Sequence, residues 1–437
     1  MKWFAQCAWL PTGVARDVLI EADQGRLTAI EPGGAPGDAS RLPGIVVPGF
    51  ANGHSHAFHR ALRGRTQAGG GTFWTWREAM YSVAGRLDPD SYLALARATY
   101  AEMVLSGITS VGEFHYLHHA PGGERYAEEN VMAEALRQAA SDAGIRMTLL
   151  DTCYLTGGLE AGGHKPLAGP QLRFSDGDVG RWAERVEQLA ESDGMRVGVA
   201  IHSVRAVPRA SLGAVSFVAA GRPLHAHVSE QPAENAACQA YYGATATTLL
   251  DDEGALGPTT TAVHATHLTD GDVELLGHAR TTICFCPTTE RDLADGIGPA
   301  TRLRAAGCPI TVGTDQHAMT DLLEEARALE MDERLASGER GRFTPAELLT
   351  AMTGHAAVGW PEAGRLEVGA AADLVAVRLD TVRTAGCAPE QALLAATAAD
   401  VDTVIVAGRP VVEGGAHRLG DVAALLAASI EPMWVGG

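Results

Sequence analysis

A chain of 437 residues is too long for one small domain and suits a barrel of roughly 250–350 residues plus a smaller unit. With 46% hydrophobic and 20% charged residues it has ample material for a core, yet it holds no uncharged apolar run near the roughly 18 residues of a membrane span. A formal net charge of −19 argues against nucleic acid and anionic membrane surfaces as partners, and means that an acidic substrate needs a local cluster of arginines.

The N-terminus carries Lys2 but no long apolar stretch before Asp17, Glu21 and Asp23, so a cytoplasmic protein without a signal peptide is expected. Strand-like runs at 18–22 and 26–30 flank Asp23-Gln24-Gly25, a hairpin signal. Apolar strand candidates follow at 44–48, 110–114, 146–150, 196–201, 224–228, 262–265, 281–285 and 309–313. Helical stretches intervene, among them 90–105, 131–143, 179–192 and 234–242. Eight buried strands with crossover helices predict an α/β fold, a (β/α)8 TIM-type barrel; on pattern alone a doubly wound open sheet is the alternative. Glycine-rich pieces at 33–37, 68–71 and 157–163 read as loops. Runs at 372–377 and 403–412 are again strand-like, so both ends are expected to join in a small β-sandwich. The expected division is 1–45 and 359–437 for the sandwich and tail, and 46–358 for the barrel.

The seven cysteines are dispersed, which is no disulfide framework; Cys284 and Cys286 share one face of a strand and read as small buried hydrophobes rather than metal or redox groups. Lysine is confined to Lys2 and Lys165.

The chemistry-bearing residues sit at strand ends. His54-Ser55-His56 closes the run Val46-Val47-Pro48-Gly49-Phe50, and residues two apart on an extended segment can reach one ion. A bare His-x-His is a weak signal; its place at the C-terminal end of a barrel strand sharpens it. In Leu224-His225-Ala226-His227-Val228-Ser229-Glu230, His227 can ligate while Glu230 in the following turn shuttles protons, and His225 reads as core. His264 and His267 follow the run 261–263, and Asp315 ends the run Ile310-Thr311-Val312-Gly313-Thr314. A strand-end aspartate is also a common helix cap, but after three ordered histidine sites it reads as a hard oxygen ligand that can take a proton from water.

His54-x-His56, His227-x-x-Glu230, His264 and Asp315, in this order, resemble the amidohydrolase superfamily over nearly the whole chain, including the return at Gly364-Arg365-Leu366-Glu367-Val368-Gly369 and Ala372-Asp373-Leu374-Val375. The resemblance implies a metal-dependent hydrolase with one divalent ion, usually zinc, on His54, His56, His227 and Asp315. It implies that His264 is a catalytic group that polarises the attacked centre or holds water, and that His267 is structural. Two-metal members bridge their ions with a lysine at the end of the fourth strand. Here that strand ends Ile201-His202-Ser203-Val204-Arg205, which favours a mononuclear, deaminase-like site.

Further segments are similar to the formimidoylglutamate deiminase family: 54–60, Phe73-Trp74-Thr75-Trp76-Arg77 with Met80 and Tyr81, 112–119, 202–205, Cys286-Pro287-Thr288-Thr289-Glu290, and Asp295-Gly296. That resemblance implies hydrolytic deimination of N-formimino-L-glutamate to N-formyl-L-glutamate and ammonia in histidine degradation, with Arg77, Tyr116, His202 and Arg205 contacting a dicarboxylate. Trp74 and Trp76 read as loop core. The sequence departs from the family at His59, where glutamine is common, and at Arg291-Asp292, which could alter the pocket rim. A homodimer is expected from resembling proteins. Rival readings are a deaminase of a ring amine (purine, pterin or triazine), an iminohydrolase of another acidic amino-acid derivative, and an inactive binding protein that keeps the fold.

Overall fold

The computed structural model describes residues 1–67 and 70–434, so the glycine-rich piece expected as a loop at 68–71 falls partly outside the described residues. The chain opens with four strands, β1 (Lys2–Leu10), β2 (Gly13–Asp23), β3 (Arg26–Glu31) and β4 (Ser40–Pro48). The predicted hairpin is β2–β3: Asp23 pairs with Arg26, and Gln24 (φ 46°) and Gly25 (φ 77°) make a turn with both central residues left-handed, the twist that suits a tight hairpin.

The barrel strands are β5 (Phe50–Ser55), β6 (Ile108–His115) and β7 (Arg146–Cys153), followed by a small hairpin of β8 (Gly158–Glu160) and β9 (Gly163–Lys165), then β10 (Met195–Ile201), β11 (Leu224–Val228), β12 (Thr260–His264), β13 (Thr282–Phe285) and β14 (Ile310–Val312). Apart from β8 and β9 they lie side by side in chain order, all parallel. Every residue of β5, β6, β7, β11, β12 and β13 is buried, as parallel strands covered on both faces require. The ring closes where Ser55 bridges Asp315. There the Thr314 and Asp315 N–H groups donate to the His54 carbonyl at 3.1 and 3.0 Å, and the His56 N–H donates to the Asp315 carbonyl at 3.1 Å.

Crossover helices include α1 (Phe73–Arg86), α2 (Pro89–Leu105), α3 (Val131–Ala143), α4 (Val179–Val186), α5 (Arg209–Ala219), α6 (Pro232–Tyr242), α7 (Ala246–Asp252), α8 (Asp270–Ala279) and α9 (Pro287–Asp292). Their starts follow from local chemistry. The Asp88 carboxylate accepts the Ser91 N–H at 2.8 Å ahead of Pro89, and Thr269 with Asp272 forms a capping box on α8. No helix among the described residues is long and apolar enough to cross a membrane.

The chain ends in β15 (Leu374–Val377), β16 (Val401–Val406), β17 (Arg409–Glu413) and β18 (Ala416–His417). Both ends share one continuous sheet in the order β18-β17-β16-β15-β4-β1-β2-β3. It folds over so that Leu27 donates to the Ala370 carbonyl and Ala372 to the Gly25 carbonyl, each at 2.9 Å. The enclosed layer buries Trp3, Val18, Ile20, Leu27, Leu374 and Ile405, which is the sandwich interior.

Three expectations change. The run at 44–48, read as the first barrel strand, belongs to the terminal sheet between β1 and β15, and the first barrel strand is β5. The hand-over is Gly49, whose N–H still donates to Asp373 while the Phe50 N–H donates to Gly107; a Cβ on Gly49 would lie 2.3 Å from the Thr109 hydroxyl. The helix read over 179–192 stops at Val186, where Leu189 donates to the Val186 carbonyl and Glu191 turns its carboxylate to the Val197 N–H. The piece at 157–163, read as a loop, forms most of the β8–β9 hairpin.

At the closing seam Gly313 packs so near β5 that a Cβ would stand 2.7 Å from the His54 nitrogen. Gly313→Ala is expected to cost about 1–3 kcal/mol in denaturant unfolding, as overpacking of a tight interior does; an unchanged midpoint would contradict this account of the seam.

Candidate active site

The C-terminal ends of the barrel strands face one cavity of about 650 Å3. β5 delivers His54 and, just past its end, His56; β11 delivers His227; the turn after β14 delivers Asp315. One ligand atom from each lies within 4.8 Å of the others, and all four residues are buried. The Nε2 of His54 is 3.1 Å from those of His56 and His227, and Asp315 Oδ1 is 3.4 Å from the Nε2 of both His54 and His56.

Hydrogen bonds set the direction in which these rings act. His56 Nδ1 donates to the Phe114 carbonyl at 2.9 Å and His227 Nδ1 to the His202 carbonyl at 2.8 Å, since a carbonyl can only accept. Their Nε2 lone pairs therefore point at a common centre, beside a carboxylate, and a single proton on His54 Nε2 could serve only one of its two imidazole neighbours. Phe114 packs edge-on or tilted against all three rings, with centroids 4.5–5.2 Å apart, and fixes their orientation. A tetrahedral ion with bonds of about 2.0–2.1 Å separates its ligand atoms by about 3.3 Å. Four of the six ligand-atom pairs stand 3.1–3.4 Å apart and all lie within 4.8 Å, and this spacing and the donor chemistry fit a divalent cation such as zinc.

Charge states agree with that fit. Burial pushes His54 down to about 3 and holds His56 and His227 below the usual imidazole range, so all three are neutral at pH 7. Burial acts to raise the Asp315 carboxyl, but its hydrogen bond with His54 and the fields of His54 and His264 outweigh it and hold the group below the usual carboxylate range.

His264 ends β12 with Nε2 3.7 Å from Glu230 and 3.8 Å from Asp315. Burial opposes its charged form, but Glu230, Glu290 and Asp315 outweigh that and push it well above the ordinary imidazole value. His267, by contrast, turns its Nε2 to the Asp295 carbonyl at 2.7 Å. Backbone conformation at these strand ends is uncommon: Ser229, His264, Ala265, Asp315 and His317 all have φ between 41° and 69°.

The residues expected to contact substrate line the same cavity. His59 Nε2 is 2.8 Å from the Tyr116 hydroxyl, and the His202 ring packs on Tyr154 with centroids 4.6 Å apart. Arg205 lies 3.2 Å from Glu230 and 3.6 Å from Glu234. Arg77 crosses the faces of Trp74 and Tyr81 and donates to the Gly157 carbonyl at 3.4 Å. Trp74 and Trp76, read as loop core, both line the cavity: Trp76 is buried and Trp74 is 47% exposed at its mouth. Arg291 and Asp292 are not among the lining residues; Arg291 pairs with Asp332 at 2.7 Å and Asp292 accepts from Gln316 at 2.9 Å.

Two other groups of candidate ligands behave differently. His115, His118 and Asp151 cluster beneath the site, but Arg185 donates to both Asp151 oxygens at 2.7 and 2.8 Å, so that carboxylate is committed to an ion pair. Cys286 approaches His264 and Asp315, but burial raises its thiol well above the usual range, and Cys284 and Cys286 pack with Val263 as small apolar groups.

Sequence reasoning passed over several participants. Glu290, quoted above without a role, meets His264; Glu234 meets Arg205 and accepts the Glu230 N–H at 3.2 Å. Ser55 donates to Glu113 at 2.7 Å and lies 3.1 Å from His317, whose Nδ1 is 3.0 Å from the Thr314 hydroxyl. Burial pushes Glu113 up to about 7. For Glu290 and Glu234 the available signal was a carboxylate within a few residues of a strand's C-terminal end.

The Amidohydrolase family model matches residues 45–411. The chain is 36% identical to formimidoylglutamate deiminase of Pseudomonas aeruginosa, over 95% of each chain. It is 33% identical to 8-oxoguanine deaminase of the same organism, over 89% of this chain and 86% of that one. Among solved structures, an amidohydrolase from Brucella melitensis superposes with a TM-score of 0.90 at 33% identity, covering 99% of each chain.

If the four donors hold one cation, zinc at about one hundred times its Kd should raise the unfolding free energy by about 2.7 kcal/mol. That increment is expected to vanish in His56→Ala. An equal increment in the variant would place the ion elsewhere.

Proposed function

The chain belongs to the amidohydrolase family, and on that footing we propose that this deaminase hydrolyses N-formimino-L-glutamate to N-formyl-L-glutamate and ammonia. The observation that carries the reading is a pair of guanidiniums, Arg77 and Arg205, lining the cavity that opens onto the four-donor site. A substrate with two carboxylates needs planar, fixed donors, which arginine supplies as two parallel charge-assisted bonds. Tyr116, His59 and His202 add neutral donors on the same wall. The formimidoylglutamate deiminase relative, at 36% identity over 95% of the chain, supports the same substrate.

His54, His56, His227 and Asp315 would hold the ion, for which zinc is the proposed identity. When bound there, a divalent cation supplies Lewis acidity that brings the pKa of water toward neutrality. Asp315, kept ionised by its surroundings, accepts a proton from the attacking water. The water oxygen bonds to the formimino carbon, and His264 stands beside Asp315 to stabilise the charge that develops there. Both protons of the water, the first taken up by Asp315 and the second released as the new C=O forms, pass through the Glu230 carboxylate to the departing nitrogen; the C–N bond breaks and ammonia leaves. Arg205, bound to Glu230 at 3.2 Å, joins substrate recognition to the proton carrier.

A ring amine is the second reading, favoured by the aromatic walls (Phe73, Trp76, Tyr81, Tyr154, Phe174) and by the 8-oxoguanine deaminase relative. Ammonia release separates the two. Zinc-loaded protein is expected to turn over N-formimino-L-glutamate and not 8-oxoguanine, with kcat/KM falling at least about a hundredfold in Arg205→Ala through loss of a charged hydrogen-bond pair near the reacting group. Glu230→Gln is expected to lose about 10²–10⁴ in kcat with zinc retained. Turnover of 8-oxoguanine alone would keep the site and reject the substrate.

A further inference from the structure

Glu290 lies on α9, just past the end of β13, and is buried. Its Oε1 is 3.2 Å from His264 Nδ1 and 2.9 Å from the Cys286 N–H, which donates to it. A bland account makes Glu290 a helix cap for Cys286. Three features exceed that account. A neutral glutamine would serve one backbone N–H without burying a carboxylate, and an ionised carboxylate in the interior calls for a charged or strongly donating partner. The partner present is the imidazole of His264. Moreover, His264 and Ala265 both hold left-handed backbone, at φ 69° and 49°, a conformation that persists only where the surroundings over-determine it. Lastly, the neighbours of Glu290 are fixed on either side: Thr288 donates to Glu325 at 2.5 Å, and the Thr289 hydroxyl donates to the Thr314 carbonyl at 3.4 Å, beside Asp315.

The ring of His264 has two orientations related by a half-turn about Cβ–Cγ. In one, Nε2 faces the space between Glu230 and Asp315, where it has no hydrogen-bond partner of its own among the described residues. In the other, Cε1 would occupy that place and Cδ2 would face Glu290, leaving a buried carboxylate without its donor. Only the first gives Glu290 its imidazole donor and turns a ring nitrogen, rather than a carbon, toward Glu230 and Asp315.

We propose that Glu290 is the positioning residue of His264, accepting a hydrogen bond from Nδ1–H and thereby locking Nε2 toward the reacting atoms. The inference deepens the proposed function in that it takes His264 to face the bond being hydrolysed. It accounts for the Cys-Pro-Thr-Thr-Glu run as one device: Thr288 and Thr289 anchor the turn, and Glu290 orients the ring. A carboxylate that accepts from Nδ1–H fixes the orientation of a catalytic histidine whether its ring is neutral or protonated.

The test pairs Glu290→Gln with His264→Asn in zinc-loaded protein. Ring 15N shifts, assigned to His264 by their loss in His264→Asn, report the hydrogen bonding of its Nδ1–H without any turnover. Glu290→Gln keeps the shape and an acceptor for the Cys286 N–H. It is expected to move those shifts, to lower kcat for N-formimino-L-glutamate at least about tenfold, to leave KM within about twofold, and to leave zinc content and the unfolding midpoint unchanged. Unchanged 15N shifts, or unchanged kcat with active wild type, would overturn the proposal. A fall in zinc content matching the fall in kcat would overturn it too, because Glu290 would then support a metal ligand instead. If wild-type protein releases no ammonia from N-formimino-L-glutamate, the substrate reading fails and the 15N shifts alone decide the fate of Glu290.

Discussion

The structure depends most on the seam where the last barrel strand meets the first. Ser55 bridges Asp315, and three backbone hydrogen bonds tie His54 and His56 to Thr314 and Asp315. Those bonds close the barrel and, in the same contact, set the Asp315 carboxylate 3.4 Å from two imidazoles that lie about 260 residues away in sequence. Side chains reinforce the seam from behind. Asn52 donates to the Thr314 hydroxyl at 2.7 Å, Thr314 lies against His317, and Ser55 connects His317 to Glu113. Closure and ligand geometry are one constraint, which is why glycine stands at 313, where a Cβ would strike His54.

From that seam the electrostatics follow. The protein is strongly acidic, and several carboxylates (Glu230, Glu234, Glu290, Asp295 and Asp315) are buried around the site. Such a concentration of negative charge is tolerable only with cations or donors among it. Arg205 stands between Glu230 and Glu234, and His264 between Glu230, Glu290 and Asp315. Asp295, in the loop past α9 and bonded to Gln231, avoids the conflict differently: burial and the field of Glu230 push its carboxyl up to about 8, so it stays protonated near neutral pH. The same acid-rich centre that would draw a divalent cation would repel the proposed dianionic substrate, so on that proposal the guanidiniums of Arg77 and Arg205 on the cavity wall would carry much of the burden of recognition.

Much of this was legible in the sequence, because the barrel writes its function at strand ends. His54, His56, His227, His264 and Asp315 each follow an apolar run, and a period of two on extended chain is enough to relate His54 to His56. The boundary at Gly49 was not legible: Val46-Val47-Pro48-Gly49-Phe50 reads as one strand, and only the partners of the two halves reveal that the chain changes sheets there. The cavity role of Trp74 and Trp76 was also hidden, since an aromatic pair at the start of a helix looks the same whether it faces a core or an opening. Glu113, Glu234, Glu290 and His317 were missed for a common reason. Each acts through a hydrogen bond to a group whose identity is set by the fold, such as Ser55 for both Glu113 and His317, 58 and 262 residues away. Nearness to a strand end could single out Glu234 and Glu290, but no local pattern names the partner that gives any of the four its role.

The proposal to be tested is that the seam builds one cation site facing a cavity that takes a dicarboxylate. A crystal structure of the zinc-soaked Glu230→Gln variant with N-formimino-L-glutamate, phased at the zinc edge, tests it most directly. A single anomalous peak is expected among His54, His56, His227 and Asp315, with the formimino carbon beside it and substrate carboxylates on Arg77 and Arg205. A peak on His264 and Cys286, or a substrate whose carboxylates avoid both arginines, would contradict it.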